Sequence, residues 1–324
     1  MIALGNCFEQ GDVTMKLTCV YVLGWAMVLN AFAGEFEAVN QAAFDEIVPK
    51  DAKVEKLAGG MKFLEGPVWV PNDGGYLLFS DIPTNHIKKW TAKDGVTVFR
   101  DPSNNTNGHY LTLDGLLVSC EHSGRRISIT QKDGKVESLV DSFDGKKLSS
   151  PNDLAVKSDG VIYFTDPSYG VPKTEKKEQE KNRVYRFDPK TKQITSVADD
   201  FDMPNGICFS PDEKKVYIAD SGKPKHVRVF DVNADGSLAN GQVFCKIDKG
   251  APDGIRCDAQ GRFYSSAAVG IQIFGTDGKL IGKILVPESP ANLCFGGADK
   301  KTLFICAKTS LYSIKLNVSG AQKP

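Results

Sequence analysis

Six short motifs in the chain each place a side-chain oxygen at the start of an apolar strand. The side chains are carboxylates or carboxamides, and they recur at intervals of 42, 45, 53, 48 and 39 residues. None of them offers sulfur or imidazole, so the set consists of hard oxygen donors. Such donors suit Ca²⁺, and less strictly Mg²⁺ or Mn²⁺. The residues are Glu65, Asn107, Asn152, Asn205, Asp253 and Asn292.

A second interpretation is that these Asn and Asp residues only cap the turns that open the strands. Capping explains one or two of the positions. It explains less well two carboxylates among six equivalent positions, because like charges that converge repel each other unless a cation lies between them. We therefore predict a central metal site with Ca²⁺ as its cofactor, and with Mg²⁺, Mn²⁺ or Zn²⁺ as substitutes.

The elements that must position these residues follow the same repeat. After each motif comes a turn and a second apolar strand, as in GVIYFTD and KKVYIAD, and most units add a third and a fourth strand. The separators are rich in Gly, Asp, Asn, Pro and Lys, as β-turns require. Four strands in about 40–45 residues are typical of a propeller blade. The sequence predicts an all-β, six-bladed β-propeller with four-stranded blades, rather than an open sandwich.

The arrangement of the blades places the motif residues in space. The last unit has three strands, so we predict that residues 54–58 supply its outer strand and close the ring. First strands line the central channel of a propeller, and the six motif residues therefore meet at one mouth. The ends of the second strands approach the same mouth, and they carry Asp81, Glu121, His122, Asp166 and Asp220.

The N-terminal segment resembles a targeting signal. From Met15 it has one basic residue, an uncharged and mostly apolar run of 13 residues, and a small-x-small sequence that ends at Ala33. This pattern is typical of a cleaved signal peptide, whereas an uncleaved anchor needs about 20 apolar residues. We expect a secreted or periplasmic protein that leaves the membrane after cleavage. The predicted divisions are a signal peptide 1–33, a lead-in 34–53, a propeller 54–318 and a tail 319–324.

The composition indicates the general class of the protein. Forty basic residues balance forty acidic ones, and 41% of the chain is hydrophobic, which is typical of a globular protein and argues against nucleic acid as a partner. The cysteines beyond residue 33 lie singly in apolar runs without a CxxC motif, and we predict buried free thiols. The oligomeric state stays open. These cysteines are Cys120, Cys208, Cys245, Cys257, Cys294 and Cys306.

Long segments of the chain resemble one known family. EGPVW, SPNDLAVKSDGVIYFTDPSYG, MPNGICFSPDEKKVYIADSG and PDGIRCDAQGRFY are similar to the senescence-marker-protein, gluconolactonase and luciferin-regenerating-enzyme family, over about residues 55 to 318. SPND with TDPSYG is most similar to its bacterial gluconolactonase branch. The resemblance implies a six-bladed propeller with one divalent metal, usually calcium, and a hydrolase whose partner is a small lactone.

The resemblance also implies roles for single residues. It places metal ligands at Glu65, Asn205 and Asp253, and it places Asn152 at the edge of the metal or the substrate. The animal branch has a substrate-contacting arginine two places before that asparagine, and Ser150 stands there in this chain. CEHSGRR resembles the bacterial branch's His-Gly-x-Arg-Arg segment, but in an altered order. Whether His122, Arg125 and Arg126 contact the substrate therefore stays open.

The expected chemistry is the opening of a sugar lactone. A metal polarises the carbonyl, and water attacks while a base takes its proton. Asp253 is the first choice for the base, and His122 is the second because a free imidazole titrates near neutral pH. His122 is equally interpreted as a turn histidine bonded to backbone. Asn107 and Asn152 are expected to orient the lactone oxygens. No G-x-S-x-G elbow is present to supply a serine nucleophile.

Two alternative functions remain possible. The same metal site suits an aryl-ester or organophosphate hydrolase, and a non-catalytic binding propeller could hold calcium for stability alone. A polar channel with Asn and Arg favours the sugar lactone.

His86, His109 and His226 are expected on the surface or in turns. Residues 171–182 lengthen a loop at the metal mouth, either as a solvated charged loop or as a lid.

Overall fold

The computed structural model describes residues 35–322, and the predicted signal peptide lies outside them. The described chain begins with strand β1 (Phe36–Ala38), helix α1 (Gln41–Ile47) and strand β2 (Glu55–Ala58). The side chain of Asn40 accepts a hydrogen bond from the backbone N–H of Ala43 at 3.3 Å and so caps the helix. No helix of the described residues is long and apolar enough to cross a membrane.

The next four sheets are antiparallel blades whose strands pair in chain order, with a small hairpin, β11 and β12, between the second and third blades. A 3₁₀ turn, Ile82–Thr84, follows β4. The strands are β3 (Leu64–Val70), β4 (Tyr76–Asp81), β5 (His86–Thr91), β6 (Gly95–Arg100), β7 (Thr106–Leu111), β8 (Leu117–Glu121), β9 (Arg126–Thr130), β10 (Val136–Val140), β11 (Ser142–Phe143), β12 (Lys146–Lys147), β13 (Leu154–Val156), β14 (Ile162–Asp166), β15 (Arg183–Asp188), β16 (Gln193–Ala198), β17 (Pro204–Phe209), β18 (Lys215–Asp220), β19 (His226–Val232) and β20 (Leu238–Lys246).

The last two blades each take a strand from the N-terminal end of the described chain. In blade 6, β2 pairs with the strand Ser310–Lys315 and forms the outer strand, with Glu55 opposite Ser313, which confirms the predicted closure. In blade 5, β1 adds a fifth strand, with Phe36 opposite Ile284. The remaining strands are β21 (Ile255–Cys257), β22 (Phe263–Ala267), β23 (Gly270–Phe274), β24 (Leu280–Leu285), β25 (Pro290–Gly296), β26 (Thr302–Ala307) and β27 (Ser310–Lys315).

The prediction of an all-β, six-bladed β-propeller is confirmed. The first strands of the blades, β3, β7, β13, β17, β21 and β25, contact one another in a closed ring around the channel. Apolar side chains fill the spaces between adjacent blades, as where Trp69 stacks on Phe304 with ring centroids 5.3 Å apart. Each such side chain contributes about 1.5–3 kcal/mol when it is fully buried. The blades therefore hold the channel residues on a rigid frame.

The six cysteines of the described chain are buried and free, as predicted. Burial raises the pKa of the Cys245 thiol and, against the opposing charge of Arg256, that of the Cys294 thiol, in each case to about 12. Because the thiolate is the reactive form of cysteine, these side chains act as small apolar core residues.

Candidate active site

Bulges in the first strands turn the motif side chains into the channel. In blade 1 the pairing of β3 with β4 skips between Glu65 and Val68. Similar skips in blades 2 and 4 enclose Asn107 and Asn205. A bulge leaves residues out of the ladder and re-aims their side chains, and bulges are common next to active sites. The repeat therefore delivers one oxygen-bearing side chain from each of these strands.

Glycines next to the motif residues let neighbouring first strands approach closely. Gly66 has a φ of +53°, and a side chain there would collide with the backbone of Asn107. Gly108 donates a backbone hydrogen bond to the carbonyl of Asn152 at 2.8 Å, and a side chain at Gly108 would strike that same carbonyl. These contacts lock the inner ring at the level of the motif residues.

A cavity of about 250 Å³ opens among the motif residues. Five of the six motif residues line it, and the sixth, Asn292, lies behind Glu65 and donates a hydrogen bond to its Oε2 atom at 3.0 Å. Apolar residues form the other part of the wall. The lining residues are Phe63, Glu65, Ile82, Asn107, His122, Asn152, Tyr169, Asn205, Ser221, Ala251, Pro252 and Asp253.

The structure does not bring Arg125 to this cavity. Its Nε atom donates to the carbonyl of Leu148 at 2.8 Å, and its guanidinium lies 3.7 Å from the carboxylate of Glu175. The neighbouring Arg126 pairs instead with Glu121 at 2.7 Å. Both arginines are therefore engaged by other parts of the protein, and the cavity holds no arginine among its lining residues.

The two carboxylates of the cavity influence each other. Burial raises the pKa of Glu65 well above its usual value, and the negative charge of Asp253 raises it further. Burial also raises the pKa of Asp253, to about 7, against the opposing hydrogen bond from Asn205. Two buried carboxylates close to each other are stable in their charged forms only beside a positive charge.

The oxygens that face the cavity fit a hard divalent cation. Among the described residues, the Oδ1 atoms of Asn107, Asn205 and Asp253 are buried without a hydrogen-bond partner. Buried polar atoms normally have partners, and a site of carboxylate and amide oxygens is the kind that Ca²⁺ prefers. Within residues 35–322 no group of three or more His, Cys, Asp and Glu side chains is placed to hold a metal, so the amide oxygens must be part of any such site.

His122 lies at the cavity in its neutral form. Its side chain is largely buried, and burial lowers its pKa to about 4. The Nε2 atom lies 3.4 Å from Nδ2 of Asn107, which is always a donor, so Nε2 is the acceptor. The expectation that this imidazole titrates near neutral pH is wrong because its site is desolvated. His122 does lie in a turn, and its backbone N–H donates to the carbonyl of Asn105 at 3.2 Å, while its ring contacts the side chain of Asn107.

His109 is a second correction. It lies in β7, fully buried, and not on the surface or in a turn. Its Nδ1 and Nε2 atoms each lie 2.8 Å from a hydroxyl oxygen, of Ser119 and Ser80 respectively. Burial lowers its pKa to about 3. Ser119 lies in β8 of the same blade and Ser80 lies in β4 of blade 1, so the His109 ring packs between two adjacent blades.

The carboxylates at the ends of the second strands do not line the cavity. In blades 1, 3 and 4 each aspartate accepts two or more backbone N–H groups, mainly from the segment that enters the first strand of its own blade. In blade 2 the equivalent Glu121 pairs with Arg100 and Arg126. The aspartate bonds join Asp81 to Lys62 and Phe63, Asp166 to Ser149 and Ser150, and Asp220 to Asp202, Met203 and Gly222.

Sequence reasoning missed two charged residues in the channel. Asp153 is fully buried and Arg256 is 1% exposed, and the Arg256 Nη1 atom lies 3.4 Å from Oδ2 of Asp153. The available signal was a charge within each of two apolar strand motifs, SPNDLAV and PDGIRC, because buried charges require partners.

The inserted loop, residues 171–182, is anchored to the protein surface. The amide of Gln179 is buried and donates to the carbonyls of Phe143 and Lys146, both at 3.0 Å. Glu175 faces Arg125, as described above. The loop therefore lies against the β11–β12 hairpin, and none of its residues lines the cavity. Tyr169, just before it, does line the cavity and is 46% exposed.

The comparisons with known proteins agree with this architecture. A model of the SMP-30/Gluconolactonase/LRE-like region matches residues 63–309. A gluconolactonase of Zymomonas mobilis is 32% identical over 303 residues, which cover 85% of this chain and 85% of that protein. A pentonolactonase of Haloferax volcanii is 24% identical over 250 residues, covering 74% of this chain and 80% of that protein.

A solved structure supports the same relationship. The structure of a gluconolactonase from Xanthomonas campestris superposes with a TM-score of 0.82 at 33% identity, and the match covers 86% of this chain and 94% of that one. The chain belongs to the SMP-30/gluconolactonase/LRE-like family.

Proposed function

We propose that this protein is a metal-dependent hydrolase of lactones. One observation carries the proposal: a single cavity collects Glu65, Asp253 and buried amide oxygens that have no partner among the described residues. Relatives that match most of the chain bear the names gluconolactonase and pentonolactonase, which supports a lactone as the substrate.

We assign the cation to the oxygens of Glu65, Asn152, Asn205 and Asp253, with Ca²⁺ favoured because all four donors are hard. When bound, a divalent cation polarises the lactone carbonyl and stabilises negative charge on its oxygen. We therefore place the ester group of the substrate beside these four oxygen-bearing side chains.

Asp253 is the proposed general base. Its carboxylate faces the cavity, and one of its oxygens is unpartnered there. It can therefore take the proton of the water that attacks the lactone. His122 is the weaker candidate because its Nε2 atom already faces the Asn107 amide. Its role is to hold that amide with Oδ1 turned to the cavity, where the oxygen can accept a substrate hydroxyl. Asn152, from the blade next to that of Asn107, also lines the cavity and orients the lactone oxygens beside the cation.

The test is hydrolysis of D-glucono-1,5-lactone, followed by proton release above the spontaneous rate. The protein is first treated with excess chelator, and Ca²⁺, Mg²⁺, Mn²⁺ or Zn²⁺ is then added. Turnover that a metal restores, that Asp253→Ala lacks and that Asp220→Asn keeps supports the proposal. Calcium binding without turnover on any lactone would instead support a non-catalytic, calcium-stabilised propeller.

A second candidate substrate class follows from the apolar wall of the cavity. Phe63 and Tyr169 are 39% and 46% exposed, and both line the cavity together with Ile82 and Pro252. Exposed apolar side chains at a cavity mark contact with an apolar ligand group. With Arg125 directed elsewhere, the wall is less polar than the sequence predicts. An aryl ester or a lactone with an apolar substituent therefore fits the cavity as well as a sugar lactone.

This candidate is tested by comparing dihydrocoumarin and phenyl acetate with D-glucono-1,5-lactone on the same protein. If the apolar wall binds substrate, Tyr169→Ser raises KM for dihydrocoumarin about tenfold and leaves KM for the sugar lactone nearly unchanged. Equal effects on both substrates would remove the argument for an aryl substrate.

We also propose secretion or periplasmic export, on the sequence of residues 1–33 alone. N-terminal sequencing of the protein recovered from its host would test this. A mature chain that begins near residue 34 supports export, and a retained N-terminal segment contradicts it.

A further inference from the structure

A buried ion pair lies next to the residues of the cavity. Arg256 is in β21 and Asp153 directly precedes β13, and both are almost completely buried. Nη1 of Arg256 lies 3.4 Å from Oδ2 of Asp153 and donates to the carbonyl of Ile255 at 2.7 Å. Removing a charge from water costs several kcal/mol. We therefore expect this buried pair to have a role in the channel that offsets the cost.

Asn292 connects this pair to Glu65. Its Nδ2 atom lies 3.0 Å from Oε2 of Glu65 and 3.4 Å from Oδ2 of Asp153. Its Oδ1 atom accepts the backbone N–H of Leu293 at 2.8 Å, which fixes the orientation of the amide. One side chain therefore donates to both carboxylates.

Glu65 is held asymmetrically by these contacts. Its Oε2 atom accepts the amide of Asn292 and also the backbone N–H of Gly66 at 2.8 Å. Both hydrogen bonds that the described residues make to this carboxylate are on the same oxygen. The other oxygen, Oε1, is left for the cavity that Glu65 lines.

The charges of the channel add to a simple total. When all three carboxylates are ionised, as a bound cation favours, Glu65, Asp153 and Asp253 contribute three negative charges and Arg256 contributes one positive charge, which gives −3 + 1 = −2. A divalent cation neutralises this total. Without Arg256 the total would be −3, and without the carboxylate of Asp153 it would be −1.

We propose that Arg256 is a positioning residue for the cation site. With Asp153 it sets the channel charge at the value that one divalent cation balances, and through Asn292 the pair holds Glu65 with one oxygen toward the cavity. The inference rests on the cation site of the proposed function. It predicts opposite changes in cation affinity when either member of the pair loses its charge.

The experiment is calorimetric titration of Ca²⁺ into the chelator-stripped protein at pH 8. Asp153→Asn leaves Arg256 unbalanced next to the site, and we expect Ca²⁺ to bind about tenfold more weakly. Arg256→Gln leaves an additional negative charge, and we expect binding about tenfold tighter. Arg256→Lys keeps the charge and should bind within about threefold of wild type.

Arg262→Gln is the matched control. Arg262 pairs with the buried Asp258 at 2.7 Å, in the turn between β21 and β22 of the same blade. It does not line the cavity, so its loss should lower the melting temperature and leave the Kd for Ca²⁺ unchanged. If the single variants at 153 and 256 do not fold, the double variant Asp153→Asn with Arg256→Gln restores the charge balance. It should bind Ca²⁺ within about threefold of wild type.

The outcomes are distinct. Wild type that binds Ca²⁺, with affinity changes of opposite sign in the two charge variants, supports the inference. If wild type binds and both single variants weaken or neither changes, or if a folded double variant does not bind, the role of Arg256 is overturned while the cation site stands. Wild type that binds none of Ca²⁺, Mg²⁺ or Mn²⁺ overturns the cation site and the inference with it.

Discussion

Two sets of oxygen-bearing side chains lie near the same mouth of the propeller and differ in their partners. At the ends of the second strands, Asp166 and Asp220 accept backbone N–H groups at 2.8 to 3.1 Å. In the first-strand set, Asn205 lies in β17 and Asp253 lies two residues before β21, and both keep buried oxygens for which the described residues supply no partner. Residue type is similar in the two sets. The hydrogen-bond partners therefore distinguish residues that stabilise the fold from residues that are available to bind a ligand.

The difference follows from the geometry of a blade. A second strand ends beside the segment that enters the first strand of its own blade, and its terminal carboxylate meets the free N–H groups of that segment. A first-strand residue in a bulge projects into the channel, where its neighbours are other oxygens. Oxygens that converge in this way require a ligand with donors or a positive charge.

The largest expected effect is on the first-strand set. Asp253→Ala should reduce lactone hydrolysis at least a hundredfold, because it removes both a proposed base and a proposed cation ligand. The melting temperature of the chelator-treated variant should equal or exceed that of wild type, because repulsion with Glu65 is relieved. Proton release and thermal unfolding measure the two effects. Normal turnover in the folded variant would show that Asp253 is neither the base nor an essential cation ligand.

The second-strand set should behave in the opposite way. Asp220→Ala leaves three backbone N–H groups, those of Asp202, Met203 and Gly222, without their acceptor. We expect a loss of about 3 kcal/mol in the free energy of unfolding, with the Kd for Ca²⁺ unchanged. Urea unfolding and calorimetric titration are the measurements. A stable Asp220→Ala protein that no longer binds Ca²⁺ would mean that this carboxylate belongs with the cation-binding residues.

Cation addition should stabilise only proteins whose first-strand set is intact. A ligand at 100 times its Kd stabilises the folded state by about 2.7 kcal/mol. We expect this increase for wild type on addition of Ca²⁺, and none for Asp253→Ala. Thermal unfolding with and without chelator checks it. An equal rise in both proteins would mean that Ca²⁺ binds elsewhere.

A smaller effect concerns His109, which shares β7 with Asn107 but has a partner for each ring nitrogen. Its pKa is about 3 in the folded protein and about 6.5 in the unfolded chain. The unfolded chain therefore binds the proton first as pH falls, and stability is lost below pH 6.5. From pH 7 to pH 5 the loss is about 2 kcal/mol.

The matched variant for this prediction is His109→Gln. It should be less stable than wild type at pH 7, but it should lose less stability between pH 7 and pH 5. Urea unfolding at the two pH values measures the difference. Identical pH dependence in the two proteins would mean that His109 is not a buried neutral base.

The sequence allowed the ring of blades and the positions of Glu65, Asn205 and Asp253 to be predicted together. A repeat fixes which residue of each unit faces the channel, because equivalent strands take equivalent places. The closing strand at residues 54–58 was predictable for the same reason, since the last unit lacked one strand.

Residues outside the repeat were harder to place. Arg125 follows His122 by three residues, but its own φ of +50° lies in a turn that sequence order does not specify. Asp153 and Arg256 are 103 residues apart, and only the closed ring brings them together. The pKa of His122 depends on burial to which Gly170 contributes by packing on the ring, and no local pattern reveals this contact.

The most direct test of the cation site is a crystal structure of the protein grown with Mn²⁺, with anomalous diffraction recorded at the manganese edge. We predict one strong peak in the cavity, within about 2.5 Å of oxygens from the proposed ligands Glu65, Asn152, Asn205 and Asp253. The cavity of Asp253→Ala should lack that peak. A wild-type cavity with no peak, or a peak held only by Asp166 or Asp220, would contradict the claim that the unpartnered first-strand oxygens form the site.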